Sequence, residues 1–242
     1  MFFNRNDWKT DDKSKKQQAM KCVGKMRNKK LLADVILTAP LWHTRMCAIH
    51  TLRAVSKGRL GLDEAEAMRS LMGLDIGFGD MYDADMKAYM WYEDELLNCL
   101  PDQHKRVQAA LKAASGSVRN RALSRITDEE CLMEIIRSPE AEESIREKAV
   151  SKIGGNESLL REVAGNGALP EKVRAAAENC LALLGKLARH EAERQALKEK
   201  QAKCAITGHR MQLLDYIPRG NGGRDALYRC ELCGAEEKWP YD

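Results

Sequence analysis

Three stretches of nine residues decide the fold: Val118-Arg-Asn-Arg-Ala-Leu-Ser-Arg-Ile126, Ile145-Arg-Glu-Lys-Ala-Val-Ser-Lys-Ile153 and Val173-Arg-Ala-Ala-Ala-Glu-Asn-Cys-Leu181. They align without gaps, and their apolar residues recur at the spacing of one face of an α-helix. Each carries an Arg at its second position, at 119, 146 and 174, so the two intervals differ by a single position. The interval from Arg119 to Arg146 is nearly equal to the interval from Arg146 to Arg174. Such a regular spacing predicts a helical repeat.

A second helix is predicted before each of the later two stretches. Thr127-Asp-Glu-Glu130 has the form of a capping box and precedes the apolar residues 131–136. Asn156 precedes a similar segment at 158–164. The repeated unit is therefore predicted to be a helical hairpin.

The same pair of helices is predicted near the N terminus, at residues 31–36 and 45–52. The pattern resembles short bacterial HEAT-like repeats, a resemblance that covers residues 16–52 and about 104–184. It implies a mainly α protein, an α-solenoid of helical hairpins with a concave binding face. We expect four segments: a basic N-terminal segment (1–15), HEAT-like repeats (16–184) with an acidic, aromatic-containing insertion at about 53–103, a connector helix (185–203) and a zinc ribbon (204–242).

The insertion holds an acidic loop and the densest group of aromatic residues. One interpretation is a loop that joins two helices. The other is a partner-binding surface, because Tyr and Trp are enriched at interface hot spots. The residues predicted to form that surface are Phe78, Tyr82, Tyr89, Trp91 and Tyr92.

Charge is distributed unevenly along the chain. Residues 1–30 contain ten Lys or Arg against three Asp, whereas residues 60–100 contain two basic residues against ten acidic ones. These segments are predicted to pair within one molecule, to pair between two copies in a homo-oligomer, or to meet a partner of complementary charge. Separated charges of this kind steer association more than they add affinity.

Arg119, Arg146 and Arg174 recur once per repeat and are predicted to line one face. They can form a stripe that contacts phosphate groups. They can also form an internal ladder, in which each Arg binds an acidic or carbonyl group of a neighbouring repeat. The abundance of Glu nearby favours the internal ladder.

The C-terminal segment has the spacing of a metal site. Cys204 and His209 are followed by Cys230-Glu-Leu-Cys233-Gly234, which gives three thiols and one imidazole. Such a set fills the four positions of a tetrahedral structural zinc, one per chain, and leaves no open position for catalysis. Residues 211–217 and 226–229 are predicted to form a small β-hairpin at this site.

This tail also resembles short zinc-binding proteins of phages and prophages. The resemblance covers about 35 residues and implies a viral or prophage origin, with the bacterial host cytoplasm as the location. The residues that carry it are Cys204, Gly208, His209, Tyr228, Cys230, Cys233 and Gly234.

The sequence contains no nucleophile elbow, phosphate loop, HExxH or kinase signature, so we expect no enzyme. It contains no apolar run of the roughly 18 residues that span a membrane, and its Cys pattern is typical of a reduced protein. The predicted function is protein binding, with modulation of a host protein as the proposed use. The alternative is nucleic-acid binding, through a HEAT-like DNA-repair type of scaffold or through the zinc ribbon.

Overall fold

The computed structural model describes residues 7–57, 59–74, 83–218 and 224–241. It is mainly α-helical, with one small antiparallel sheet near the C terminus. The chain divides into two compact units, Met1–Cys180 and Leu181–Asp242. None of the helices in the described ranges is long and apolar enough to span a membrane.

The first unit consists of helices. Two short 3-10 helices, Asp7–Lys9 and Lys13–Lys15, come before the α-helices. The α-helices follow in chain order: α1 (Lys16–Gly24), α2 (Lys29–Thr38), α3 (Trp42–Ser56), α4 (Glu64–Gly73), α5 (Asp83–Asn98), α6 (Gln103–Lys112), α7 (Gly116–Ser124), α8 (Glu129–Arg137), α9 (Glu143–Ile153), α10 (Glu157–Gly165) and α11 (Glu171–Thr207), the last of which continues into the second unit.

Short polar side chains fix several helix starts. The side chain of Asn156 accepts a hydrogen bond from the backbone N–H of Leu159, as its position predicts. At α8 the cap is Asp128, whose carboxylate accepts from the N–H of Cys131 at 2.9 Å. The predicted start at Thr127 was therefore wrong by one residue. These bonds satisfy N–H groups that the helix itself leaves unpaired.

The three nine-residue stretches lie in or begin in α7, α9 and α11. Their shared alanines, Ala122, Ala149 and Ala177, have no exposed surface. Helix α6 contacts α7 and α8, and α9 contacts both α7 and α8. A small residue at such a contact lets two helices approach closely, which explains why the sequence repeats alanine there.

The second unit contains the sheet, whose strands are β1 (Met211–Pro218), β2 (Arg224–Cys230) and β3 (Glu236–Tyr241). The order is β1-β2-β3, and both pairs are antiparallel. The sequence predicted β1 and β2 only, so the hairpin is extended by one strand. Strand β3 forms because the chain turns back after Cys233 and brings Glu236 opposite Arg229.

Candidate metal centre and helix-lined groove

The four predicted ligand residues lie together. Cys204 is in the last turn of α11, His209 follows that helix, Cys230 ends β2, and Cys233 lies in the turn before β3. Their ligand atoms are all within 4.8 Å of one another, so the cluster can hold one metal ion. In the described part of the chain, no other group of three or more His, Cys, Asp or Glu residues is arranged in this way.

Two glycines shape the turns that carry these ligands. Gly208 has φ +83° and Gly234 has φ +70°, in the left-handed region that L side chains rarely adopt. The N–H of Gly208 donates to the carbonyl of Cys204 at 2.8 Å, and that of Gly234 donates to Cys230 at 2.9 Å. Both turns therefore fold the chain back. The first brings His209 towards Cys204, and the second brings Cys233 towards Cys230.

The distances within the cluster match a tetrahedral zinc site. The Sγ atoms of Cys204 and Cys230 are 3.7 Å apart. The Sγ of Cys233 is 3.4 Å from Nδ1 of His209. Two sulfurs bound to one zinc at about 2.3 Å in tetrahedral geometry lie about 3.8 Å apart. A disulfide needs about 2.05 Å, so the observed separation fits shared ligation and not a bond between the thiols.

The thiols of Cys204 and Cys230 differ in acidity. Burial raises the pKa of Cys204 to about 12. Burial also acts to raise the pKa of Cys230, but the backbone N–H groups of Cys233 and Leu232 and the side chain of His209 outweigh it and lower that pKa to about 6. Metals bind the thiolate, and a metal cation compensates a buried negative charge. The cluster thus already stabilises one of the thiolates that a metal needs.

These thiols are also the core of their unit. The buried residues between 181 and 240 are Cys204, Ala226, Cys230 and Cys233, within the side chains that the structure describes. Met211 and Ala235 pack against the three cysteines. So small an apolar core contributes little hydrophobic stabilisation, which is the usual reason that small modules depend on a metal.

The predicted aromatic surface is not assembled as predicted. Tyr89 and Tyr92 in α5 have no exposed surface, so the prediction that they contact a partner was wrong. They lie on the face that also buries Leu96, because residues three and four apart share one side of a helix. Trp91 is half-buried beside the guanidinium of Arg53, 5.8 Å from the ring centroid, and stays a prediction. Phe78 and Tyr82 lie outside the described residues.

Two of the three repeated arginines bind the protein's own backbone. Arg119 donates to the carbonyl of Ala113 at 2.6 Å and to the carboxylate of Glu142 at 2.7 Å. Arg146 donates through Nε to the carbonyl of Ala141 at 3.1 Å. These bonds favour the internal role, although the carbonyl acceptors lie in the turn before each arginine's own helix. The Nε of Arg174 is buried and has no hydrogen-bond partner in the described ranges.

A large open cavity in the first unit was not predicted. It is an open groove of about 1010 Å³ lined by residues of α6, α8 and α10 and of the turn after α8. Its lining combines apolar side chains with Glu129, Glu130, Glu134 and Glu140. Sequence reasoning missed it because the lining residues are spread over more than fifty positions. The closely spaced glutamates of α8 were the available signal.

Comparison with known proteins adds no identity to this geometry. No protein-family model, curated protein or solved structure matches the chain. The resemblances to HEAT-like repeats and to phage zinc-binding proteins are therefore supported by the quoted residues alone. The metal-ligand cluster and the helix-lined groove are the features of the molecule that bear on its function.

Proposed function

We propose that the chain is a non-enzymatic protein-binding α-solenoid of HEAT-like hairpins whose C-terminal module is held by one structural zinc. The observation that carries the binding function is the open groove across α6, α8 and α10, because extended surfaces of this kind arise when helical hairpins stack. The resemblance of the tail to phage proteins makes a host protein the proposed partner.

Hydrogen bonds between neighbouring hairpins support the stacking. The Nζ of Lys152 donates to the carbonyl of Ser124 at 2.9 Å, 28 residues away. The amide of Asn156 donates to Glu129 at 2.8 Å, 27 residues away. Each separation is within one residue of the interval between the corresponding repeats, so nearly equivalent positions of successive hairpins meet. Two further pairs have the same character: Lys148 with Asn120 and Lys172 with Glu143.

Zinc is the metal that the ligand set favours. Three thiols and one imidazole suit zinc, and calcium and magnesium require oxygen ligands. With all four positions taken by Cys204, His209, Cys230 and Cys233, a bound zinc has no site for water or substrate. The proposed role is therefore structural: the metal joins the end of α11 to the sheet.

Elemental analysis of purified protein tests the zinc. We expect about one zinc per chain in the parent protein and in Cys180→Ser, a control that changes a half-buried thiol outside the cluster. Cys230→Ser removes a fully buried ligand and should lower the zinc content well below one. Absence of zinc from the parent, or full zinc content in Cys230→Ser, would contradict the assignment.

Capture from a bacterial lysate tests the binding function. The full chain is immobilised, and retained material is compared with that on heat-denatured chain, with and without nuclease. We expect a protein to be retained by the native chain and to bind again after purification. Retention of nucleic acid alone, lost on nuclease treatment, would overturn the proposal in favour of nucleic-acid binding.

A further inference from the structure

The floor of the groove is apolar and comes from three helices. Leu111 of α6, Met133 of α8 and Leu159 of α10 each contribute one side chain. Leu111 and Leu159 are half-buried, while Met133 is only 3 % exposed. Neighbouring helix axes lie about 8–10 Å apart, so three helices present a floor about 16–20 Å long. A partner helix of roughly 11–13 residues has this length.

The basic residues in the lining are already paired with carboxylates. Lys112 is 3.3 Å from Glu140, and Arg137 pairs with Glu162. Within each pair the two opposite charges compensate each other. The carboxylates that remain therefore set its charge.

Three glutamates of α8 have no cationic Lys or Arg partner within the described residues. Glu129 accepts a hydrogen bond from the neutral amide of Asn156, and the side chain of Glu130 forms no ion pair with any residue that the structure describes. Glu134 is 3.3 Å from Nδ1 of His104, which is its one ionic contact. Glu130 and Glu134 are both exposed. The rim of the groove is therefore negative along α8.

One of these three charges is placed unfavourably for the helix alone. Glu129 and Glu130 lie in the first turn, where the helix dipole favours them. Glu134 lies beyond that turn and one turn after Glu130, a like-charge spacing that destabilises a helix. A like-charge spacing of this kind is expected where a helix surface serves binding and not the stability of the helix.

We propose that this groove binds a cationic amphipathic helix of a partner protein. The apolar face of that helix lies on Leu111, Met133 and Leu159, and its Lys or Arg side chains lie over Glu130 and Glu134. The inference rests on the proposed protein-binding function and names the chemistry of the partner. A nucleic acid is the wrong sign for this surface, since phosphates and the glutamates repel each other.

Fluorescence anisotropy with a designed peptide tests the charge preference. The probe is a fluorescein-labelled peptide of Leu and Lys about 18 residues long, with Leu at the spacing of one helical face. The control peptide has Glu in place of every Lys. We expect saturable binding of the Leu/Lys peptide, weakened by added salt, and no binding of the Leu/Glu peptide. Equal binding of both peptides would overturn the proposal.

Variants of the full chain test the location. Glu134→Lys reverses a rim charge and should weaken binding roughly five- to twentyfold, because an attraction becomes a repulsion. Glu178→Lys changes the net charge equally at an exposed position in α11 outside the groove and should have less than about a twofold effect. Leu159→Gln should weaken binding by removing part of the floor. Circular dichroism confirms that each variant is folded.

Equal effects of Glu134→Lys and Glu178→Lys, or no effect of Leu159→Gln, would place the peptide elsewhere and refute the assignment. The lysate experiment separates this failure from a failure of the proposed function. If the parent and Glu134→Lys retain the same protein equally, protein binding stands and the groove is not its site. If only nucleic acid is retained, the proposed function itself fails.

Discussion

Tyr92→Ala is the most direct test of how the insertion is built. Tyr92 has no exposed surface, and burial raises the pKa of its hydroxyl to about 12. It lies in α5, which contacts α3, α4 and α7. A partner-binding residue would be removable without loss of stability. A core residue would not, so one measurement distinguishes the two roles.

The expected loss follows from complete burial. Removing a fully buried aromatic side chain lowers the free energy of unfolding by about 3–5 kcal/mol. For a unit of 180 residues, each kcal/mol shifts the melting temperature by about 2–4 °C. We therefore expect Tyr92→Ala to melt about 6–20 °C below the parent. The control is Met90→Ala on the same helix, because Met90 is 41 % exposed and its loss should change the free energy by less than about 1 kcal/mol.

The assay is thermal melting followed by far-ultraviolet circular dichroism, which reports on the helices, with urea unfolding as a second measurement of the same free energy. Similar melting temperatures for Tyr92→Ala and the parent would refute the burial argument and restore Tyr92 as a surface candidate. Equal losses in Tyr92→Ala and Met90→Ala would show that α5 tolerates no truncation, which contradicts the assignment of one buried and one exposed face.

Two further changes test the repeat contacts and a buried charge. Ala149→Arg places a charge at a position with no exposed surface and should lower the free energy of unfolding by roughly 3–5 kcal/mol, measured by melting; an unchanged melting temperature would show that the helices do not meet there. Burial raises the pKa of Glu93, so the folded chain holds that proton more tightly than the unfolded chain does. Stability should therefore fall as pH rises above the ordinary glutamate value of about 4.3, and Glu93→Gln should flatten that dependence in urea unfolding measured across pH; an identical profile would refute it.

The ligand cluster was predictable because its information is local. Cys230, Cys233 and Gly234 lie within five residues, and the left-handed turn at Gly234 is one that glycine adopts readily. Strand β3 was missed because its sequence, with Pro240 and three charged residues, has little strand character of its own. The segment becomes a strand because it pairs with β2, and the residues of β3 alone do not predict that contact.

The prediction for the tyrosines of α5 was wrong because it rested on the number of aromatic residues and not on their positions around the helix. Tyr89 and Tyr92 are three residues apart, and Leu96 follows four residues later, which is the spacing of one buried helical face. The same periodic test that identified the repeats would have placed both tyrosines in the core. Richness in Tyr and Trp indicates an interface only where the helix exposes them.

What repeats in this chain builds the fold, and what does not repeat carries the proposed binding. Arg119 and Arg146 occupy the same position of successive repeats, and each donates to a carbonyl in the turn before its own helix, so the repeated arginine joins the two helices of a hairpin. In these two units the arginine therefore serves the fold, whatever the protein binds. By contrast, the position one repeat after Glu130 is Ser158. The position one repeat after Glu134 is Glu162, which pairs with Arg137, so the uncompensated negative charge at the rim of the groove belongs to one hairpin. A partner that touches several similar hairpins can be aligned only by the residues that differ between them. Specificity for a partner is therefore expected to depend on α8, which a search for repeated residues does not single out.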